Sequence, residues 1–372
     1  MKDFINVVSD PIYSFWLVLI GFWAMLRYYK FVGSKKFLLF SSIGGVTIFL
    51  WMFQDPNFKA IVTWPDNVPI SILIVALFFF TWLTLHKMAI NDTRIENGEG
   101  PIEGTPENRE KVWTWPNLVY TELFAIIAGT VFLCVWAIIF KAPLEEPANP
   151  TWAPNPAKAP WYFLGLQEML VYFDPWMAGV ILPGLIVAGL IAIPYIDTNP
   201  KGNGYYTFKE RKLAVSLYFF GWLVLWNYLI IIGTFLRGPN WTFYGPFEYW
   251  DFHKVVAEIN INLSEIVWIK TLGVGLPDNM FLREIFGIIL TLLYVGVIPF
   301  VLERINFKNR FLSKLNLIGE ISRGIKENSG SIRYYIYVFL LIATASLPIK
   351  MILRWVFSLK YIVALPELEL NL

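Results

Sequence analysis

Eight stretches long and apolar enough to cross a bilayer recur along this 372-residue chain, at residues 12–28, 37–53, 68–86, 119–140, 176–196, 213–236, 285–302 and 332–352. A helix rises 1.5 Å per residue, so about twenty mainly apolar residues cover the roughly 30 Å of bilayer hydrocarbon. Backbone N–H and C=O groups find no water at that depth, which leaves helices or closed barrels as the only spanning structures. The pattern therefore predicts an all-α polytopic membrane protein with about eight spanning helices. Only 16% of the residues are charged, against roughly a quarter in soluble chains. A net charge of +2 gives no basis for a nucleic-acid partner. The beginning of the chain lacks the basic region and small-residue cleavage site of a signal peptide, so the first helix is expected to stay.

Lys and Arg concentrate in loops kept on the cytoplasmic side. Arg27, Lys30, Lys35 and Lys36 follow the first stretch, Lys201, Lys209, Arg211 and Lys212 the fifth, and Arg304, Lys308, Arg310, Lys314, Arg323 and Lys326 the seventh. The loop after the third stretch carries Lys87, Arg94, Arg109 and Lys111 among many acids. Between the second and third only Lys59 appears, and after the fourth only Lys141 and Lys158. Both chain ends and the loop after the fourth stretch are thus expected on the outer side, as in a bacterial cytoplasmic membrane protein with periplasmic termini.

Residues 91–112 are polar and hold Gly98, Gly100, Pro101, Gly104 and Pro106. They read as a cytoplasmic linker without an apolar stripe. His86, before them, reads as an interfacial side chain reaching for water. The single cysteine, Cys134, sits in an apolar stretch, which excludes disulfide frameworks and thiolate-held clusters. With His253 the only other histidine, the chain is expected to hold no haem and no metal by itself. Trp113 through Asn117 start a helix in which Glu122 falls in the first turns. An acid there either serves chemistry or reaches headgroup water with help from the helix dipole, and the residues leave both open.

The loop after the fourth stretch contains Pro143, Pro147, Pro150, Pro154, Pro156 and Pro160. Each fixes one dihedral and removes a donor, so the loop can form a rigid wall. Trp161, Gly165, Glu168 and Tyr172 then recur at helical spacing, predicting a short amphipathic helix with all four on one face. Flat aromatic walls and one carboxylate suit a lipophilic ring with polar edges, such as a quinone whose proton Glu168 takes as the ring is oxidised. The bland alternative is an ion pair between Glu168 and Lys158, or a packing contact with a partner subunit.

Residues from about Trp113 to Leu236 resemble the C-terminal half of cytochrome b, called subunit IV where that protein is split. Trp115-Pro116-Asn117 starts a helix, Glu146-Pro147-Ala148-Asn149-Pro150 opens the loop, and Pro160-Trp161-Tyr162-Phe163 stands where the family has Pro-Glu-Trp-Tyr-Phe. Ile193-Pro194-Tyr195-Ile196-Asp197 closes the next helix as in the family. The resemblance implies a wall of the outer quinol-oxidation site in a bc-type complex. The substrate would be a quinol, of menaquinone or ubiquinone type. Haem b would sit in a cytochrome b N-terminal-like partner and a 2Fe-2S cluster in a Rieske partner, with a c-type cytochrome accepting electrons. The shared face gives Trp161, Gly165 and Tyr172 as quinone-binding residues; the resemblance adds Pro160 and Tyr162, and implies Glu122 as an acid for the cytoplasmic-side quinone site. The family's proton-accepting glutamate is absent here, since Ala159 and Pro160 occupy that place. Either Glu168 takes over the role, or the chain is a scaffold with a degenerate site that only holds its haem-bearing partner.

The expected organisation is a three-helix segment at 1–90, the linker at 91–112, the subunit IV-like domain at 113–236, a long outer loop at 237–284 holding His253 on its surface, and C-terminal helices with a tail at 285–372. That tail is expected to meet partner subunits. Such a subunit has no activity alone.

Overall fold

The computed structural model describes residues 1–108, 111–140, 147–197, 199, 204–306, 316–368 and 370–372. Arg109, Lys141, Pro143, Glu146, Lys201, Lys308, Arg310 and Lys314 lie outside them. The protein is 72% helical with almost no strand among the described residues. Seven helices are long and apolar enough to cross a membrane, or eight if the bent pair at the N-terminus counts as one span. That pair is α1 (Lys2–Ser9) and α2 (Pro11–Arg27), which meet at 81°. Asp10 causes the corner locally: its side chain accepts from Ile12 N, and Pro11 occupies the first helical position.

The other elements are α3 (Lys35–Met52), α4 (Val68–Glu96), α5 (Val119–Ile139), α6 (Leu164–Met169), α7 (Met177–Ile196), α8 (Lys212–Leu236), α9 (Ile285–Arg304), α10 (Asn316–Ser329) and α11 (Ser331–Phe357). They form two compact units. One comprises residues 1–164 and 203–255, the other residues 165–202 and 256–372.

In the first unit Tyr29, Leu85, Met88 and Phe219 pack into a buried cluster joining the end of α2, α4 and α8. Beyond it α4 continues ten residues past the predicted end at His86, because its polar end has partners. Asp92 is 1% exposed, yet its carboxylate accepts from Tyr29 Oη at 2.8 Å, from Phe208 N and Lys209 N at 3.1 Å, and from the Thr207 hydroxyl. Asn91 Nδ2 donates to Glu103 and to Tyr206 O, and Asn91 Oδ1 accepts from Ile102 N. The start of the expected linker is therefore a helix end sewn to distant chain. Burial, reinforced by Asp92, holds the Tyr29 phenol well above its usual range.

In the second unit α9, α10 and α11 enclose Tyr334, Val338 and Ile342. Tyr334 Oη donates to Pro299 O at 2.8 Å, and Tyr294 Oη to Ile342 O at 2.6 Å. The amphipathic α10 was not expected from the sequence. Its Arg323 donates to the carbonyls of Glu303 and Ile305, which end α9 without helical partners.

The tail folds back on its own unit. Lys360 N donates to Ile261 O, Leu263 N to Tyr361 O, and Ala364 N to the buried Glu284 carboxylate. Ala364–Leu365 and Leu370–Asn371 pair as a small antiparallel ladder, and Arg283 holds Glu367 at 2.9 Å. The tail is thus anchored by backbone hydrogen bonds within its own unit.

Candidate functional site

Pro160 begins the site. Its carbonyl accepts from Phe163 N at 2.8 Å, closing a tight turn at Trp161–Phe163 that runs into α6. Within the first unit this turn is anchored to α8. Leu164 packs on Gly233. Lys158 Nζ donates to Thr234 O at 2.7 Å and lies 5.5 Å from the centre of the Trp250 ring. Asn155 and Asn240 exchange two hydrogen bonds, at 2.9 and 2.6 Å. Side chains thus anchor the described part of the proline-rich loop at Asn155 and Lys158. Trp161, Tyr162 and Phe163 remain 37%, 50% and 51% exposed, an edge of three aromatics presented outward. Thr234 Oγ1 is buried with no hydrogen-bond partner among the described residues.

In the second unit Glu168 is fully buried near the end of α6, and Tyr172 and Phe173 are 1% and 3% exposed. The Tyr172 ring meets Trp355 of α11 edge-on at 6.0 Å. The predicted four-residue helical face is corrected. Trp161 lies in the turn before α6, and α6 ends at Met169, leaving Tyr172 in the following turn. A turn follows Met169, and Pro175 opens the next helical stretch, where the Asp174 side chain accepts from Trp176 N at 2.9 Å. Gly165 and Glu168 alone sit in the helix proper, both buried, whereas Pro160 is exposed. Glu122 is exposed in the first turn of α5, a helix with no buried side chain, and lies apart from the others in sequence.

Sequence reasoning passed over Lys350. This lysine of α11 is 2% exposed, and its Nζ has no hydrogen-bond partner among the described residues. The Phe173 and Tyr361 rings flank it, with centres at 5.7 and 5.9 Å, the arrangement in which aromatic faces attract a cation. One turn on, Arg354 pairs with Glu258 at 3.0 Å. Burial, then Arg354, pushes the Lys360 ammonium below the usual lysine range. A lysine within the 332–352 apolar stretch was the signal available in the sequence.

Residues 147–248 match the family model described as cytochrome b(C-terminal)/b6/petD. These residues belong to the cytochrome b C-terminal family. No solved structure matches the chain. The match begins later than the resemblance read from the residues, leaving Trp115-Pro116-Asn117 and Glu122 outside it, and it reaches into the loop as far as Glu248. Pro160, Trp161, Tyr162, Gly165, Glu168 and Tyr172 all fall within the cytochrome b C-terminal segment, and Lys350 falls beyond it. Membership ties the segment to bc-type complexes in an electron-transport membrane.

Proposed function

We propose that this chain is the haem-free subunit of a bc-type quinol:cytochrome c oxidoreductase, lining the outer quinol-oxidation site and accepting a proton there. The observation that carries the reading is Glu168: a fully buried carboxylate, six residues after Tyr162, inside a cytochrome b C-terminal segment whose usual glutamate place holds Pro160. A buried carboxylate in a membrane protein, set in an aromatic stretch, is a candidate for proton transfer.

Oxidation of one quinol yields a quinone, two protons and two electrons. Partner subunits would supply the electron acceptors, a Rieske cluster leading toward a c-type cytochrome and haem b, and would take the second proton. Two facts of this chain favour haem in a partner: it has two histidines, and they are engaged elsewhere. His86 Nδ1 contacts Gly33 O at 2.7 Å, and His253 is a surface residue beside Asp251. The residues here do the remaining work. Trp161 and Tyr162 offer ring faces and a phenol to the quinol head, Gly165 and Tyr172 complete the stretch, and Glu168 accepts one proton. Glu122 is assigned to a cytoplasmic-side quinone, consistent with its exposure. The proposed setting is a bacterial cytoplasmic membrane with both termini outside, and the sequence boundaries 1–90, 91–112, 113–236, 237–284 and 285–372 stand as the proposed organisation.

The scaffold reading is kept by the same Pro160, which removes the family's own acid. Quinol:cytochrome c reduction by the purified complex carrying Glu168→Gln separates the two. A fall of about a hundredfold or more, typical of a lost acid–base group, with haem content and assembly unchanged, is expected. Unchanged turnover would make the scaffold the better description.

A further inference from the structure

A cleft of about 360 Å³ opens at the polar end of α4, far in sequence from the cytochrome b C-terminal segment, and Lys30, Gly33, Ser34, His86, Thr93 and Arg94 line it. Its floor is set by Gly33, where an added Cβ would stand 2.7 Å from Leu85 O; only glycine lets the corner before α3 lie directly on the α4 backbone. The His86 ring is fixed by two contacts. It stacks on Trp82 at 5.0 Å and 14°, and Nδ1 is held by Gly33 O at 2.7 Å.

The charge of the lining has one sign. Lys30 and Arg94 are permanent cations, and no acid lines the cleft. Glu96 holds Lys30 at 3.0 Å, while Glu99, at 3.1 Å, and Gly100 O hold Arg94. These partners orient both side chains without entering the cleft. Lys35 and Lys36 follow at once in the first turn of α3. Ala89 and Ile90 add apolar wall, and the spanning lengths of α3 and α4 run directly from this end. A phosphate seated here would have hydrocarbon-facing helix surface beneath it.

We propose that this cleft binds the phosphodiester headgroup of an anionic phospholipid, with its acyl chains lying along α3 and α4. Basic pockets between spanning helices recognise anionic headgroups in this way. The cleft lies outside the proposed quinol site and does not depend on that reading.

Native mass spectrometry of the purified full-length protein in non-ionic detergent tests it, with dioleoylphosphatidylglycerol, dioleoylphosphatidylcholine and inorganic phosphate as probes. The wild type is expected to retain phosphatidylglycerol over phosphatidylcholine, and inorganic phosphate is not expected to displace it. Lys30→Gln with Arg94→Gln should lower that retention about fivefold for each cation removed, whereas Lys35→Gln with Lys36→Gln should change it little. Equal retention of the two lipids by the wild type would overturn the proposal. So would equal losses in the two double variants, which would mean diffuse surface charge. Displacement by inorganic phosphate would reassign the cleft to a free anion. The wild-type arms decide even where the first double variant fails to fold.

Discussion

Asp92 in the first unit and Lys350 in the second are both nearly inaccessible ionisable groups on long membrane helices, 1% and 2% exposed, yet their surroundings are opposite. Asp92 accepts from four donors, two side-chain hydroxyls and two backbone amides. Lys350 has ring faces and two cationic neighbours, Arg354 and Lys360, but no hydrogen-bond acceptor among the described residues. A buried charge with its partners complete acts as a staple, since every withdrawn water contact has been replaced. A buried amine without them costs stability and persists only where something else requires it. The comparison teaches which buried charge holds the fold and which one the fold tolerates.

The largest expected effect is on the staple. Asp92→Ala strands two backbone amides and the hydroxyls of Tyr29 and Thr207, all neutral donors, and should destabilise the protein by about 2–4 kcal/mol, the cost of leaving buried donors unsatisfied. Thermal unfolding in detergent measures it, and a loss under about 1 kcal/mol would break the comparison. Lys350→Met, similar in volume and apolar, should move the other way, raising stability by about 1–3 kcal/mol as an unsatisfied polar group is removed. If Lys350→Met is stabilising yet quinol oxidation by the complex falls, the amine is retained for activity; if it destabilises, Lys350 is a staple after all and the contrast fails.

A half-exposed pair supplies the weak end of the scale. The Lys2 side chain is 53% exposed and Asp55 10%, and the hydrogen bond from Lys2 holds the Asp55 carboxyl below its ordinary range. A carboxyl depressed in the folded state contributes stability above its unfolded value, and that stability is lost as pH falls through the folded one. Stability should therefore decline on acidification below about pH 4, and Lys2→Met should remove about 1 kcal/mol or less of that dependence. A larger pH-linked loss would show that exposure matters less than the comparison assumes.

The spanning helices were legible because hydrocarbon leaves an apolar twenty-residue run almost no other conformation. The first predicted span is α2 alone; the short α1 before it, set off at the Asp10-Pro11 cap, was not expected from the sequence. Of the candidate site, the order Pro160-Trp161-Tyr162-Phe163 was readable, and Glu168 stood out as the one charge in an apolar aromatic stretch. The shared helical face was not, because periodicity was carried back into the turn at Trp161–Phe163 and forward past Met169, where the helix ends. Asp92 was passed over as one more acid in a polar linker.

What the sequence determined by itself was the class of fold, the approximate spans and the family of one central segment; these follow from local composition and order. What the tertiary structure alone decided was which charges are paired, where α4 stops, that α10 caps α9, and that the tail returns to Ile261, Glu284 and Asp174. Those outcomes join residues as much as about 200 positions apart, and no local pattern encodes whether a buried group will meet its partner.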